Sequence, residues 1–533
     1  MQGMRAAEQH ERVDECARRQ PLRNGWDLPG GRLPVRKGMR RVLPCLLLLL
    51  GLGCPADPPV PPFEWGTATA AFQIEGGNTS SDWAAWERRC VLDKRDGERS
   101  GGETITDCES NLDGPNAWEL YEADYAEAEA MGHNAYRMGI EWAKIEPRPG
   151  EYDPQAIEHY HRMLAAARAH GLSPMVTLQH FTLPAWVNDI ESPDGGLKGW
   201  AGEDQDPIGG GAIVEAFARY AGDMAEEFGG EVDLWVTINE PIVVLVGAYL
   251  AGYFPPGQTL QVRRTVRAAY NMAYAHARAY DAIHARDTDD ADGDGRAAEV
   301  GIAKHWRVFT PADPEDASDV EAAEQLDYVF NDLFVSALTK GAVDLDADGQ
   351  VEGPDERIDP DLAGHLDWLG VNYYSRYLVR GPVAEIEGVR LAIDFYDNPD
   401  PEVPKNDLGW EIYPEGLRQV LERATRYGLP LRITENGIAD AADTKRAAFL
   451  VAHLQVLDAV RAAGIDVRGY YHWSLIDNFE WIEGYAPRFG LLEVDYDDPA
   501  RRRIRRPSAD VYTEIIAAGH VTEALAAEHS GFH

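Results

Sequence analysis

From Phe63 onward, short runs rich in β-branched and aromatic residues alternate with longer amphipathic stretches, and the alternation repeats eight times. The short runs cover residues 64–68, 135–140, 174–178, 233–238, 300–305, 368–372, 431–434 and 467–471. The amphipathic stretches cover 117–131, 155–170, 212–228, 263–286, 320–340, 415–427 and 444–463, and a last helix follows Pro507. Strands separated by helices must pair in parallel, with the helices packed outside, and eight such units close on themselves. The expected fold is α/β, a single (β/α)8 TIM barrel with long loops, over residues 63–525, with no second-domain boundary inside it. With 44% hydrophobic residues the 533-residue chain has ample material for that core. Its 50 Lys and Arg against 90 Asp and Glu give a net charge of −40, which repels phosphate backbones and argues against nucleic-acid binding. A neutral substrate is not disfavoured, and no apolar run approaches the roughly 20 residues that span a bilayer.

The first 53 residues are different in kind. They hold ten Lys or Arg and five Asp or Glu, so without them the balance is 40 against 85. Met39-Arg40-Arg41, an apolar run over 42–53 and then Cys54 read as a signal peptide over 39–54. Leu52-Gly53-Cys54 resembles a bacterial lipoprotein cleavage box, although Gly51 stands where that box usually has Leu. Residues 1–38 read as a non-native or unstructured extension, and 55–62, rich in proline, as a stiff tether. The expected location is extracytoplasmic, periplasm or cell surface, with membrane attachment only through a lipid on Cys54. Cys16 and Cys45 leave with the signal, so Cys90 and Cys108 remain as an even pair. In an oxidising compartment they can close a disulfide worth about 3 kcal/mol.

In such barrels the chemistry sits just past the strand ends. The polar residues there are Gln73 and Glu75, Arg137 and Glu141, Gln179-His180, Asn239-Glu240, Asn372-Tyr373-Tyr374, Glu435-Asn436 and His472-Trp473. Two carboxylates on separate strands, with no metal cluster between them, suit glycoside hydrolysis. That reaction needs a protonated acid at the leaving oxygen and an ionised partner at the anomeric carbon. An Arg near one Glu is expected to keep it ionised, and enclosure to keep the other protonated. Sugars also call for amide and carboxylate partners and flat aromatic faces, and the chain has 14 Trp and 23 Tyr.

Thr237-Ile238-Asn239-Glu240-Pro241 and Ile433-Thr434-Glu435-Asn436-Gly437 resemble the two signatures of glycoside hydrolase family 1, the retaining β-glucosidase family. The resemblance extends through Ala70-Ala71-Phe72-Gln73-Ile74-Glu75-Gly76, Gly370-Val371-Asn372-Tyr373-Tyr374 and Gly409-Trp410-Glu411-Ile412-Tyr413-Pro414. It ends with Trp473-Ser474-Leu475-Ile476-Asp477-Asn478-Phe479-Glu480-Trp481 and Arg488-Phe489-Gly490-Leu491. It implies an exported β-glycosidase, a β-glucosidase first, that works by double displacement with Glu240 as acid/base and Glu435 as nucleophile. Arg137, Asn372 and Tyr374 would support the nucleophile, and Asn239 would bind the 2-hydroxyl. Gln73, His180, Glu480 and Trp481 would bind the other hydroxyls, Trp473 would form the floor, and Trp410 would line the aglycone entrance. Where the family usually has Trp after the strand-3 His, this chain has Phe181, a ring without a donor, which leaves the glycon open. Glu480 would repel a 6-phosphate, and the presence of Glu240 separates the chain from myrosinases.

No cofactor is expected. Asp290-Ala291-Asp292-Gly293-Asp294-Gly295 and Asp344-Leu345-Asp346-Ala347-Asp348-Gly349 have calcium-loop spacing and are candidate structural calcium sites, the second with Asp355 as closing ligand. Arg501 to Arg506 is a basic run expected to be a solvated, salt-bridged turn. His159 and His161 share a helix and form no metal set at the mouth. Two other readings use the same barrel. A non-catalytic sugar-binding lipoprotein has no need of both carboxylates, and a transglycosylase is separated by product analysis at high substrate concentration.

Overall fold

The computed structural model describes residues 62–96, 105–192 and 195–532. The extension at 1–38, the signal at 39–54 with Cys54 and the tether at 55–62, save its last residue, lie outside the described residues. Eight parallel strands close a barrel: β1 (Glu64–Ala68), β2 (Ala135–Gly139), β3 (Ser173–Thr177), β4 (Leu234–Asn239), β5 (Glu299–Pro311), β6 (Trp368–Arg380), β7 (Leu431–Asn436) and β8 (Val467–Trp473). Each pairs with the next, and β8 returns to β1 with Gly469 opposite Glu64 and Trp473 opposite Ala68. The expected (β/α)8 barrel is the fold found.

Burial explains why these segments become strands. Every residue of β2, β4 and β7 is buried, as strands covered on both faces must be. Ala68, Ala135, Met175, Leu234, Val236, Ala303 and Tyr471 fill the barrel interior. Arg432 forms ion pairs with Glu64 and Glu299, both at 3.0 Å, and so ties β7 to β1 and β5. The outer ring consists of α1 (Ala117–Ala130), α2 (Pro154–Ala169), α3 (Ala212–Phe228), α4 (Val262–Arg286), α5 (Ala317–Asp327), α6 (Pro414–Ala424), α7 (Arg446–Ala462) and α8 (Pro507–Ala518). Asp153 caps α2 by accepting from the amides of Gln155 and Ala156, with Pro154 in the first turn.

Three details depart from the sequence reading. Strands β5 and β6 run 13 residues each, well past the expected 305 and 372. Beyond the barrel they go on pairing with each other, Phe309 opposite Tyr377, and Asp394–Tyr396 joins β6 as an antiparallel third strand. This fin is only half-buried, so it lacks the continuous apolar run that marks a barrel strand. The stretch 320–340 is not one helix: after α5 comes a wide turn, Tyr328–Asp332, and then a second helix, Leu333–Lys340. The wide turn lets Asn331 donate to the Arg307 carbonyl at 2.7 Å and accept from its amide at 3.1 Å. The basic run is salt-bridged but solvated only in part, with Arg502 exposed and paired to Asp495 at 2.7 Å. Arg503 binds Asp124 at 2.7 Å and Arg506 binds Asp477 at 3.0 Å, with all four side chains buried.

Cys90 and Cys108 form a disulfide with their Cα atoms 5.6 Å apart. Among the described residues no helix is long and apolar enough to cross a membrane.

Candidate active site

The strand ends put their polar side chains into one cavity of about 650 Å³. Glu240 follows β4 and has φ +47, a left-handed conformation that non-glycine residues seldom adopt, and Pro241 begins a short helix directly after it. Phe181 (φ +70), Leu260 (φ +52), Ala347 (φ +59) and Trp481 (φ +54) share that conformation, so five cavity residues sit on backbone held in place by its surroundings. Beside Glu435, a Cβ at Gly437 would collide with the Trp473 carbonyl, so only glycine lets β7 turn away there.

Arg137, fully buried on β2, organises the floor. Its guanidinium donates to Glu435 Oε1 at 2.6 Å, to the Thr434 carbonyl at 3.2 Å and to Asn239 Oδ1 at 2.7 Å. The Tyr374 hydroxyl donates to Glu435 Oε2 at 2.7 Å. Asn372 donates to Glu240 Oε1 at 2.8 Å and to Asn239 Oδ1 at 3.2 Å. Asn372 lies opposite Glu435 in the β6–β7 register and sends its side-chain amide to the acid/base candidate. Asn239 lies 3.1 Å from His180 Nε2. Gln73 donates to Asn478 and to the Phe479 carbonyl, and its Oε1, like His180 Nδ1, is buried with no partner among the described residues. Buried polar atoms are costly unless paired, and both residues line the cavity where a sugar's hydroxyls would lie. The His180 ring lies nearly parallel to those of Trp473 and Trp481. Trp410 packs edge-on against Tyr374.

His305, on β5, has its Nδ1 3.2 Å from Glu240 Oε1, and sequence reasoning missed it. A histidine at a strand end carries no signal by itself. Its meaning comes from the register that sets His305 opposite Asn372. Conversely, Glu75 and Glu141 follow strands but serve the scaffold. Glu75 pairs with Lys144 at 2.8 Å, and Glu141 accepts from Thr182 at 2.9 Å.

Burial raises both central carboxyls. At Glu435 it outweighs Arg137, and with the Glu240 charge it pushes the group up to about 7. At Glu240 the nearby His305, when charged, overcomes burial and brings the group down to about 2. While His305 is charged, the order is thus the reverse of that expected from the sequence. The reversal depends on His305, whose own pKa burial lowers. Burial and the Glu435 and Glu240 charges raise Glu480 to about 8, so that carboxyl can donate as well as accept.

The glycosyl hydrolase family 1 model matches residues 60–520, nearly the whole described chain. The chain belongs to glycosyl hydrolase family 1. It is a retaining β-glycosidase of that family, whose chemistry needs no cofactor. A β-galactosidase from Pyrococcus woesei is 35% identical over 87% of this chain and 98% of that protein. Beta-glucosidase A from Thermotoga maritima is 32% identical over 85% of this chain and 96% of its own. The solved β-glycosidase from Pyrococcus horikoshii superposes with a TM-score of 0.72 at 32% identity, covering 88% of this chain and 97% of that one.

Of the two acidic loops of this family 1 chain, the second reaches the cavity wall through Ala347, and the first has no residue in the lining. Asp290 and Asp292 gather with Asp233, and Asp344 and Asp346 gather with Glu356. Glu356, not Asp355, closes the second loop. Its oxygens, like those of Asp344 and Asp290, accept from the loops' own backbone amides.

Proposed function

We propose that the chain removes terminal β-linked glucose by double displacement, with Glu435 as nucleophile and Glu240 as acid and then base. The unequal support of the two carboxyls carries this reading. Glu435 has the Arg137 guanidinium beside it, whereas Glu240 has only the titratable imidazole of His305. Once His305 is neutral, Glu240 loses that pull, and burial together with the Glu435 charge moves its pKa upward. The proton shared by the pair then belongs on Glu240. Glu240 gives it to the glycosidic oxygen as a Glu435 oxygen bonds to the anomeric carbon and the C–O bond breaks. Water next attacks the glycosyl ester, Glu240 takes its proton, and Glu435 leaves as carboxylate.

Asn239 would bind the 2-hydroxyl, and Gln73, His180, Glu480 and Trp481 the 3-, 4- and 6-hydroxyls over the Trp473 face. β-Galactosides are the second reading, favoured by the name of the Pyrococcus woesei relative and by Phe181, which offers no donor. The proposal includes export and a lipid on Cys54, on the pattern at 39–54, and the Cys90–Cys108 pair fits an oxidising compartment.

Proton NMR of an aryl β-glucoside undergoing hydrolysis tests the reading. β-Glucose should be released first and equilibrate afterwards, and first release of α-glucose would overturn double displacement. Tyr374→Phe removes the hydroxyl that stabilises ionised Glu435. The Glu435 pKa should rise, so the acid limb of the kcat/KM profile should move to higher pH, with kcat lower by roughly 10- to 100-fold. An acid limb that stays in place would remove Tyr374 from this role.

A further inference from the structure

The geometry points to a leaving group that is a hydrocarbon body, an alkyl chain of medium length, and not a second sugar. This inference rests on the proposed function and specifies its substrate. The cavity of about 650 Å³ is near the size that encloses a drug-sized ligand, and a single hexose fills only its inner part beside Glu240 and Glu435. The outer part is walled by Val246 and Leu250 after β4, Val266 of α4, Val329 of the wide turn after α5, and Leu391 beyond β6.

The apolar wall continues to the surface. Leu260, Ile393 and Phe395 line the cavity and are 64%, 57% and 39% exposed. They are three of the seven large apolar side chains exposed among the described residues, and no other feature of the fold gathers them. Leu260 is held there with φ +52, a conformation unfavourable for a branched side chain.

The polar side chains lining the cavity outside the sugar-binding end, Tyr253, Thr265, Arg307, Tyr377, Arg390 and Glu483, are a minority among its apolar residues. Arg390 is paired with Glu321 at 2.6 Å. Arg307 lies over the Tyr377 ring at 3.9 Å, and its buried Nη1 has no partner among the described residues. A second sugar brings several hydroxyls, and each one buried without a partner weakens binding. An alkyl chain brings none and exchanges water for the apolar wall.

The test is kcat/KM for methyl, butyl, hexyl and octyl β-glucosides below their micelle concentrations, with an aryl β-glucoside, cellobiose and lactose alongside. Each added methylene should raise kcat/KM by about three- to fourfold until the chain reaches the rim, and octyl glucoside should exceed both disaccharides. A flat series, or faster cleavage of cellobiose or lactose than of octyl glucoside, overturns the inference while aryl hydrolysis leaves the proposed function standing. Loss of the aryl activity as well would overturn both. Joint substitution Ile393→Asp and Phe395→Asp alters exposed side chains, and its folding is checked by thermal melting. It should lower the octyl-to-methyl ratio of kcat/KM by about tenfold, and an unchanged ratio counts against the inference.

Discussion

Replacing Glu435 by Gly should lower kcat on an aryl β-glucoside by on the order of 10⁵-fold, because no other group can form the glycosyl ester. Azide should restore turnover. The deleted carboxylate leaves a gap faced by the Arg137 guanidinium and the Tyr374 hydroxyl, both of which had been bound to it. A small anion fits that gap and attacks the anomeric carbon from the face Glu435 occupied, in a single displacement. The product should be the α-glycosyl azide, of inverted configuration. Since Arg137 is left charged and unpaired in the interior, the variant should also be less stable, by about 3–5 kcal/mol. Glu435→Gln keeps both hydrogen-bond partners and should be as inactive with a smaller loss of stability. A β-azide product from Glu435→Gly would assign the nucleophile elsewhere.

Glu240→Gly should divide substrates by leaving group. For an alkyl glucoside, whose alkoxide must be protonated as it departs, kcat should fall on the order of 10³- to 10⁴-fold. For a dinitrophenyl glucoside the first step needs no acid, so the glycosyl ester should form quickly and accumulate. Azide should then release it as the β-glycosyl azide, with configuration retained by two displacements. The two variants therefore differ in the anomer of one product, whatever the absolute rates. Equal losses for the alkyl and dinitrophenyl substrates would deny Glu240 the acid role.

The sequence carries the barrel well because strands buried on both faces read as nearly continuous apolar runs, as β2 and β4 do apart from Arg137, Thr237 and Asn239. It carries the fin poorly, since beyond His305 and Asn372 the strands β5 and β6 are covered on only part of their surface. The same division holds for the site. Glu240, Glu435 and Tyr374 meet in the cavity with Arg137 buried against Glu435, whereas Glu75 and Glu141 follow strand ends as closely and turn to Lys144 and Thr182. Proximity to a strand end specifies the rim of the barrel but not the direction of a side chain. His305 and the order of protons on the carboxyls were illegible for a further reason. They depend on charges brought together from β4, β5 and β7, which no stretch of sequence contains.

The fin has a consequence for how such an enzyme can change. Strands β5 and β6 contribute His305 and Asn372 to the reacting end and, a few residues on, Phe309 and Tyr377 to the outer wall. One pair of ribs thus carries both choices in series, with the barrel clamping one end and leaving the other free to vary. A library confined to residues 307–311 and 376–396 would exchange the outer wall while the clamped end keeps its hydrogen bonds. Selection on leaving group and selection on sugar would become separable in the laboratory, and successive rounds on one need not undo gains on the other.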